Sequence, residues 1–227
     1  MPVDKSTPVN AYGQQLTDRQ IECGVHREFV GGLWDLLGTL QFRFLLDNGL
    51  QPAHRFLDIG CGALRGGIHF VRYLDAGNYF GVDLNASLIK AAGKELEAAG
   101  LTGKHPTLAI DGHFDFLTLG ATFDFALAHS VFTHLPLSSI DRCVTSTAKV
   151  LRPGGRLFAT FFEAPRPHLL EPLSHVDGVV TYGDRDPFHY HFPTFEDLVS
   201  SLPFRVRNIG GWNHPRGQHM LEFERLG

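Results

Sequence analysis

The sequence is short of cysteine, of long apolar runs and of clustered positive charge, and each shortage removes a class of function. Cys23, Cys61 and Cys143 are scattered, odd in number and without CxxC spacing, which argues against a disulfide framework or a zinc site and fits a reducing cytoplasm. No apolar stretch reaches the roughly 18 residues a membrane helix needs, and the polar N-terminus lacks a signal-peptide core. A cytoplasmic protein with no membrane attachment is expected. The formal net charge of −4, with no Lys/Arg run, gives no field that would gather phosphate backbones, so nucleic acid is disfavoured as a partner. What is present is ordinary for a folded domain: 43% hydrophobic and 19% charged residues among 227, enough for a single α/β domain with a sizeable core.

The chain is organised around Phe56-Leu57-Asp58-Ile59-Gly60-Cys61-Gly62-Ala63-Leu64-Arg65-Gly66-Gly67. A short apolar run meets a glycine cluster, and Ile68, Phe70, Val71 and Leu74 follow at helical spacing, so the segment predicts strand, tight loop and helix. Such a loop lets a ligand approach bare backbone and aims free N–H groups of the helix at it. The dinucleotide fingerprint GxGxxG fails here, because its third glycine falls on Arg65. Leu57 to Gly62 instead resembles the first motif of the class I S-adenosylmethionine (SAM)-dependent methyltransferases, LDxGCGxGxxG, with Leu64 in place of that family's third glycine. The plainer reading of this stretch alone is a glycine-rich turn in an ordinary α/β protein.

The resemblance implies a Rossmann-like, seven-stranded, mostly parallel sheet with a C-terminal antiparallel β-hairpin and N-terminal cap helices. It implies SAM as cofactor, held by Asp58, Gly60, Cys61, Gly62 and Ala63. The expected division is an arm and cap helices over 1–50, a SAM-binding core over 51–162, an acceptor lid loop over 163–193, and a closing helix and hairpin over 194–227.

Taken in order, residues 1–15 read as a loose arm. Thr17 is a candidate N-cap for helical sequence running to about Leu46, divided at Gly31-Gly32 and Gly38. In this cap Trp34 and Gln41 are candidate acceptor contacts, or else a core anchor and a solvated helix residue. Tyr79 to Asp83 reads as a second strand ending in an acid about 20 residues beyond the glycine loop, where dinucleotide and SAM proteins place a ribose-binding carboxylate; Leu84 belongs to the same site. Thr107 to Ile110 predicts a third strand, after which the resemblance puts Asp111 and Gly112 at the adenine, although a turn aspartate explains Asp111 equally well. Phe123 to Ala128 predicts the fourth strand, with His129 and Ser130 at the carboxyl edge where ligands of open α/β sheets lie. His134 is either a helix-start residue or an acceptor contact. Leu151-Arg152-Pro153-Gly154-Gly155 resembles the family's turn into a fifth strand over 157–162, and Phe204 to Trp212 with Gln218 to Leu226 predicts the hairpin that separates this fold from dehydrogenases. Thr194 is read as the cap of the intervening helix.

Thirteen histidines call for a metal check, but His189, His191, His214 and His219 come with no HExxH, facial-triad or cysteine pattern, and no metal is expected. The function read here is methyl transfer from SAM to a hydroxyl, in preference to an amine, of a small-molecule metabolite or sugar. Catalysis comes from in-line positioning in a dry pocket. A hydroxyl must also lose its proton, so His129 and then His191 are the candidate bases, with His189 and His191 also candidate acceptor contacts. A non-catalytic SAM-fold scaffold and a nicotinamide-dependent oxidoreductase are the alternatives.

Overall fold

The computed structural model describes residues 11–227. The chain order is α1 (Asp18–Glu22), α2 (Val25–Phe29), α3 (Trp34–Asp47), β1 (Phe56–Ile59), α4 (Gly67–Tyr73), β2 (Tyr79–Asp83), α5 (Ala86–Ala98), β3 (Thr107–Ile110), β4 (Phe123–Ala128), α6 (Leu137–Val150), β5 (Leu151–Phe161), β6 (Leu173–Ser174), β7 (Val180–Thr181), α7 (Pro193–Val199), β8 (Phe204–Gly211) and β9 (His219–Arg225). Seven strands form one sheet in the order β3-β2-β1-β4-β5-β9-β8, parallel except that β9 runs antiparallel to both neighbours. The order reverses between β1 and β4, and at that point the carboxyl ends of β1, β2 and β4 open a crevice.

Side chains alternate across the strands and sort the core into two faces. Leu57, Ile59, Ala126 and Leu157 pack with Ile140 and Val144 of α6 and Phe195 of α7; Phe56, Phe125, Leu127 and Phe158 pack with Leu45 of α3, Phe70 of α4 and Leu96 of α5. Each fully buried side chain of this kind contributes roughly 1.5–3 kcal/mol, so near-continuous apolar strands covered on both faces hold the site's floor rigid.

The N-terminal cap differs from expectation in where it breaks. Thr17 does cap α1, in a capping box with Gln20. Gly24, left-handed at φ 76°, ends α1, and Gly31 and Gly32 at 92° and 60° end α2. Gly38 breaks nothing: it lies inside α3, and a Cβ there would sit 2.4 Å from the Arg65 carbonyl oxygen, so its role is to let α3 approach the glycine loop. Of the expected loose arm, residues 1–10 lie outside the described residues, while the Tyr12 and Gln14 carbonyls accept from Asn85 Nδ2 at 2.7 and 2.8 Å.

Three further expectations are corrected. β5 starts at Leu151, which pairs with Phe123 before Arg156 pairs with Phe125, so Arg152 to Gly155 form a bulge in the strand. Thr194 lies inside α7, whose first residue is Pro193. The 163–193 segment is not structureless: β6 pairs with β7, the Phe188 N–H donates to Thr133 O at 2.7 Å, and Tyr190 Oη donates to Leu135 O at 2.5 Å. Among the described residues no helix is long and apolar enough to cross a membrane.

Candidate functional site

A cavity of about 680 Å³ occupies the crevice at the carboxyl ends of the strands. That is ample for a small-molecule site. The glycine loop forms its floor. Gly60 and Cys61 N–H both donate to Val82 O at 2.8 and 3.0 Å, which ties the loop to β2. Gly60 holds φ +70°, and a Cβ there would come within 2.5 Å of Val131 Cγ2. Leu64 holds φ +69° while wholly buried. Standing where the motif has its third glycine, it takes a left-handed conformation at a cost of roughly 1–2 kcal/mol, set against burial of its side chain.

Two carboxylates stand over this floor. Asp83 Oδ2 accepts from Gly62 N–H at 2.9 Å and Oδ1 from Asn85 N–H at 2.8 Å. Each oxygen retains a lone pair for a ligand hydroxyl. Burial raises the Asp83 pKa above the carboxylate value, while these N–H bonds pull the other way. Asp58 accepts from Tyr79 Oη at 2.7 Å and, mainly through burial, is raised to about 7. Asp111 lines the cavity too, but its oxygens accept from His113 and Asp115 N–H, both at 2.7 Å, the geometry of a turn aspartate.

The other flank of the cavity is basic. Arg65 Nη1 donates to Val30 O at 2.8 Å and Gly32 O at 3.1 Å, pinning the α2–α3 break, and Nη2 lies 3.3 Å from His129 Nδ1. A guanidinium only donates, so His129 Nδ1 accepts and the neutral ring carries its proton on Nε2. Burial, then Arg65, His214 and Arg216, hold the His129 pKa well below 6.5. His129 is thus a neutral ring whose free nitrogen already bears hydrogen. This corrects the general-base assignment: Nε2 has no lone pair to offer, and Nδ1 is covered by a cation.

Of the residues expected from sequence, the cavity is lined by Asp58, Gly60, Cys61, Gly62, Ala63, Asp83, Leu84, Asp111, Gly112, His129, Ser130, Gln41 and His134. The Cys61 thiol, pushed well up by burial, faces the core and would meet a Cβ on Gly81 at 2.9 Å, so this residue offers the cavity backbone. Ser130 Oγ donates to Gln218 Oε1 at 3.1 Å, and His134 Nδ1 lies 2.5 Å from Asp186 Oδ1.

Three expected residues are elsewhere. Trp34 packs under the Arg27 guanidinium, 5.1 Å from its ring centroid, in the cap cluster. His189 is buried, with Nε2 donating to Leu169 O at 3.0 Å and Nδ1 accepting from Thr181 Oγ1 at 2.8 Å, so it staples the lid and has no nitrogen left for a substrate. His191 stands beside Glu163, Nδ1 to Oε1 3.5 Å, away from the cavity lining, which removes it as base and as acceptor contact. Among the described residues no group of three or more His, Cys, Asp or Glu is placed to hold a metal. Sequence reasoning missed Tyr12, Val30, Arg65, Phe114, Leu135 and Arg142, all cavity-lining. Only Arg65 gave a signal, as a charge set among glycines.

Residues 57–157 match the profile of a family described as a methyltransferase domain. The chain is 29% identical over 189 residues, 78% of its length, to the ubiquinone/menaquinone biosynthesis C-methyltransferase UbiE of Vibrio parahaemolyticus, and spans 60% of that protein. With the Vibrio cholerae protein of the same name the identity is 30% over 161 residues, covering 66% of this chain and 52% of the relative. The chain therefore spans little more than half the length of these relatives. Its fold is similar to a magnesium protoporphyrin IX methyltransferase from Synechocystis solved with bound SAM, at TM-score 0.60 and 16% identity over 94% of this chain and 87% of that one. It is also similar to the CcbJ methyltransferase of Streptomyces caelestis, at TM-score 0.69 and 14% identity over 97% and 100%.

Proposed function

We propose that the chain, whose residues 57–157 match a methyltransferase-domain profile, is a class I SAM-dependent methyltransferase that binds SAM in the crevice cavity and transfers the methyl group to a small, hydroxyl-bearing acceptor. The observation that carries the cofactor part is the Asp83 carboxylate, fixed by two backbone N–H groups above a left-handed glycine loop that a Cβ would obstruct. Its remaining lone pairs suit two adjacent ribose hydroxyls. Leu84, Phe114 and Leu135 supply apolar surface for a base, and Asp111, although committed to its turn, keeps one lone pair on each oxygen for the exocyclic amine.

When bound, SAM supplies a sulfonium-activated methyl group. The chain's part is to place the acceptor in line with it and to exclude water. His129, at the end of β4, offers an N–H to an acceptor oxygen and takes no proton from it. Oxygen is the methylated atom in this reading. A second reading, methylation at a carbon conjugated with the same hydroxyl, is favoured by the similarity to the Vibrio C-methyltransferases. Action within the reducing cytoplasm fits three unpaired cysteines, of which Cys61 and Cys143 are buried.

The test is to incubate the protein with SAM carrying a ¹³C-methyl group and a panel of hydroxylated metabolites. S-adenosylhomocysteine should form only with an acceptor, and the carbon shift of the transferred methyl distinguishes O–CH3 from C–CH3. Calorimetric binding of SAM without turnover on any acceptor would leave a scaffold, and binding of NADH in place of SAM would return the oxidoreductase alternative.

A further inference from the structure

Arg65 and His129 line the cavity, and Arg216, Trp212 and His214 pack behind them. Arg65 has no carboxylate within ion-pairing distance among the described residues, and Arg216 has only Asp177 at 3.7 Å. The two guanidiniums converge: a Cβ on Gly31 would lie 3.2 Å from Arg216 Nη1 and 3.9 Å from Arg65 Nη1. Behind them His129, Trp212 and His214 form a triangle of rings with centroids 5.3 to 5.7 Å apart. Each is only 7% exposed, and His129 Nε2, Trp212 Nε1 and His214 Nε2 are all buried with no hydrogen-bond partner among the described residues.

The protonation of all three nitrogens follows from their neighbours. Trp Nε1 only donates. His129 Nδ1 faces Arg65, and His214 Nδ1 accepts from the Arg216 backbone N–H at 3.2 Å, so in both neutral rings Nε2 bears the hydrogen. Buried donors are almost always paired in folded proteins, and leaving one unpaired costs about 1–3 kcal/mol. Three unpaired donors beside two guanidiniums fit a ligand atom that only accepts.

We infer that the acceptor carries a phenolic or enolic hydroxyl and binds as its oxyanion against the Arg65 guanidinium, with the buried N–H groups of the His129–Trp212–His214 triangle behind it. This rests on the methyltransferase reading. It replaces a general base: the hydroxyl proton goes to solvent as the anion binds, an electron pair of the oxyanion or its conjugated carbon forms the bond to the methyl carbon, and the carbon–sulfur pair goes to sulfur. The titratable and charged groups facing Arg65 and His129 are Tyr12, Asp58 on β1, and Arg216 with His214 between β8 and β9. Of these Asp58 is the carboxylate, and it already accepts from Tyr79.

The probe is 4-nitrophenol, whose phenol and phenolate absorb at different wavelengths, titrated across pH into the full chain saturated with S-adenosylhomocysteine. A nearby cation lowers an acid's pKa by about 1–3 units. The bound phenol should therefore ionise at least about one unit below its value in water, and Arg65→Gln or Arg216→Gln should remove much of that shift. An unshifted or raised pKa in the wild type overturns the inference without needing either variant to fold, as does failure of 4-nitrophenol to bind. S-adenosylhomocysteine itself carries a carboxylate. If Arg65→Gln weakens its calorimetric affinity tenfold or more while the phenol's shift stays, the guanidinium serves the cofactor and the inference fails. If the wild type does not bind S-adenosylhomocysteine at all, the methyltransferase reading falls first and this inference with it.

Discussion

Two flanks of one cavity treat their polar atoms differently. On the cofactor flank, Asp83, Asp111 and Asp58 each already hold hydrogen bonds from within the chain, at 2.7 to 2.9 Å, and keep lone pairs in reserve. On the proposed acceptor flank, among the described residues, three buried nitrogens lack a hydrogen-bond partner, and Arg65, held by the Val30 and Gly32 carbonyls, has no carboxylate to balance its charge. The first flank is complete before a ligand arrives, so its geometry is set by the fold and suits a ligand common to a whole family. The second carries desolvated donors, and unmatched donors reject a ligand that cannot accept, so under the proposed function this is the flank that would select the acceptor.

The contrast breaks most sharply at the glycine loop. Gly60→Val is expected to abolish measurable SAM binding, because a β-branched side chain at φ +70° would sit on Val131. A variant that stays folded by circular dichroism and binds SAM normally would remove the loop from the site. Next in size, Asp83→Ala should weaken SAM binding by about 10- to 100-fold, the equivalent of one charged hydrogen bond at roughly 1.5–3 kcal/mol. It should also loosen the loop, since Gly62 and Asn85 lose their acceptor. Calorimetry returning an unchanged affinity would show that the cofactor flank is not where Asp83 stands.

The same contrast explains what could be read from sequence. The glycine loop, Asp83 and the order of strands and helices are local patterns, so one stretch of chain is enough to place each of them, and Leu64, at the motif's third-glycine position, holds a left-handed backbone that glycine adopts readily. The basic flank is assembled from Arg65, His129, Trp212 and His214, which are far apart in the chain and meet only because β9 pairs with β5. No spacing rule joins them. His129 was found because the sheet edge is predictable, but its role was misjudged because a tautomer depends on a neighbour 64 positions away. His189 and His191 looked functional because the 163–193 segment shows no periodicity; in the fold His189 bonds the lid to itself and His191 sits against Glu163.

A smaller effect separates donor from base. With Arg65 holding the acceptor's charge, losing the one further hydrogen bond from His129 costs about 0.5–1.5 kcal/mol, so His129→Ala should raise the acceptor KM by roughly 2- to 10-fold with SAM affinity unchanged. A base would cost about 10² to 10⁴ in kcat. The pH–rate profile of the wild type should also lack an acid limb near 6.5 from this ring, whose pKa is well below that value. Steady-state rates showing such a limb, lost in His129→Ala, would restore the base.

The last effect, on stability and not on binding, sets the two flanks against each other through pH. His214 is lowered to about 4, by burial first and then by Arg216 and Arg65, so between pH 6.5 and about 4 the unfolded chain takes up a proton that the folded one does not. Its contribution is therefore present above 6.5 and is lost as pH falls through that window, by at most about 1.4 kcal/mol per unit. Asp58 has the opposite sign. With its folded pKa raised to about 7 against an ordinary 3.8, the folded chain holds the extra proton, so acidification from about 7 to 3.8 favours the fold. Replacing either group should expose the other: His214→Phe should flatten the loss of stability on acidification, and Asp58→Asn should steepen it. Urea unfolding midpoints at pH 7, 6 and 5 for the two variants and the wild type measure both slopes. Parallel curves for all three proteins would mean that neither group changes its proton affinity on folding, and the electrostatic difference between the flanks would be lost.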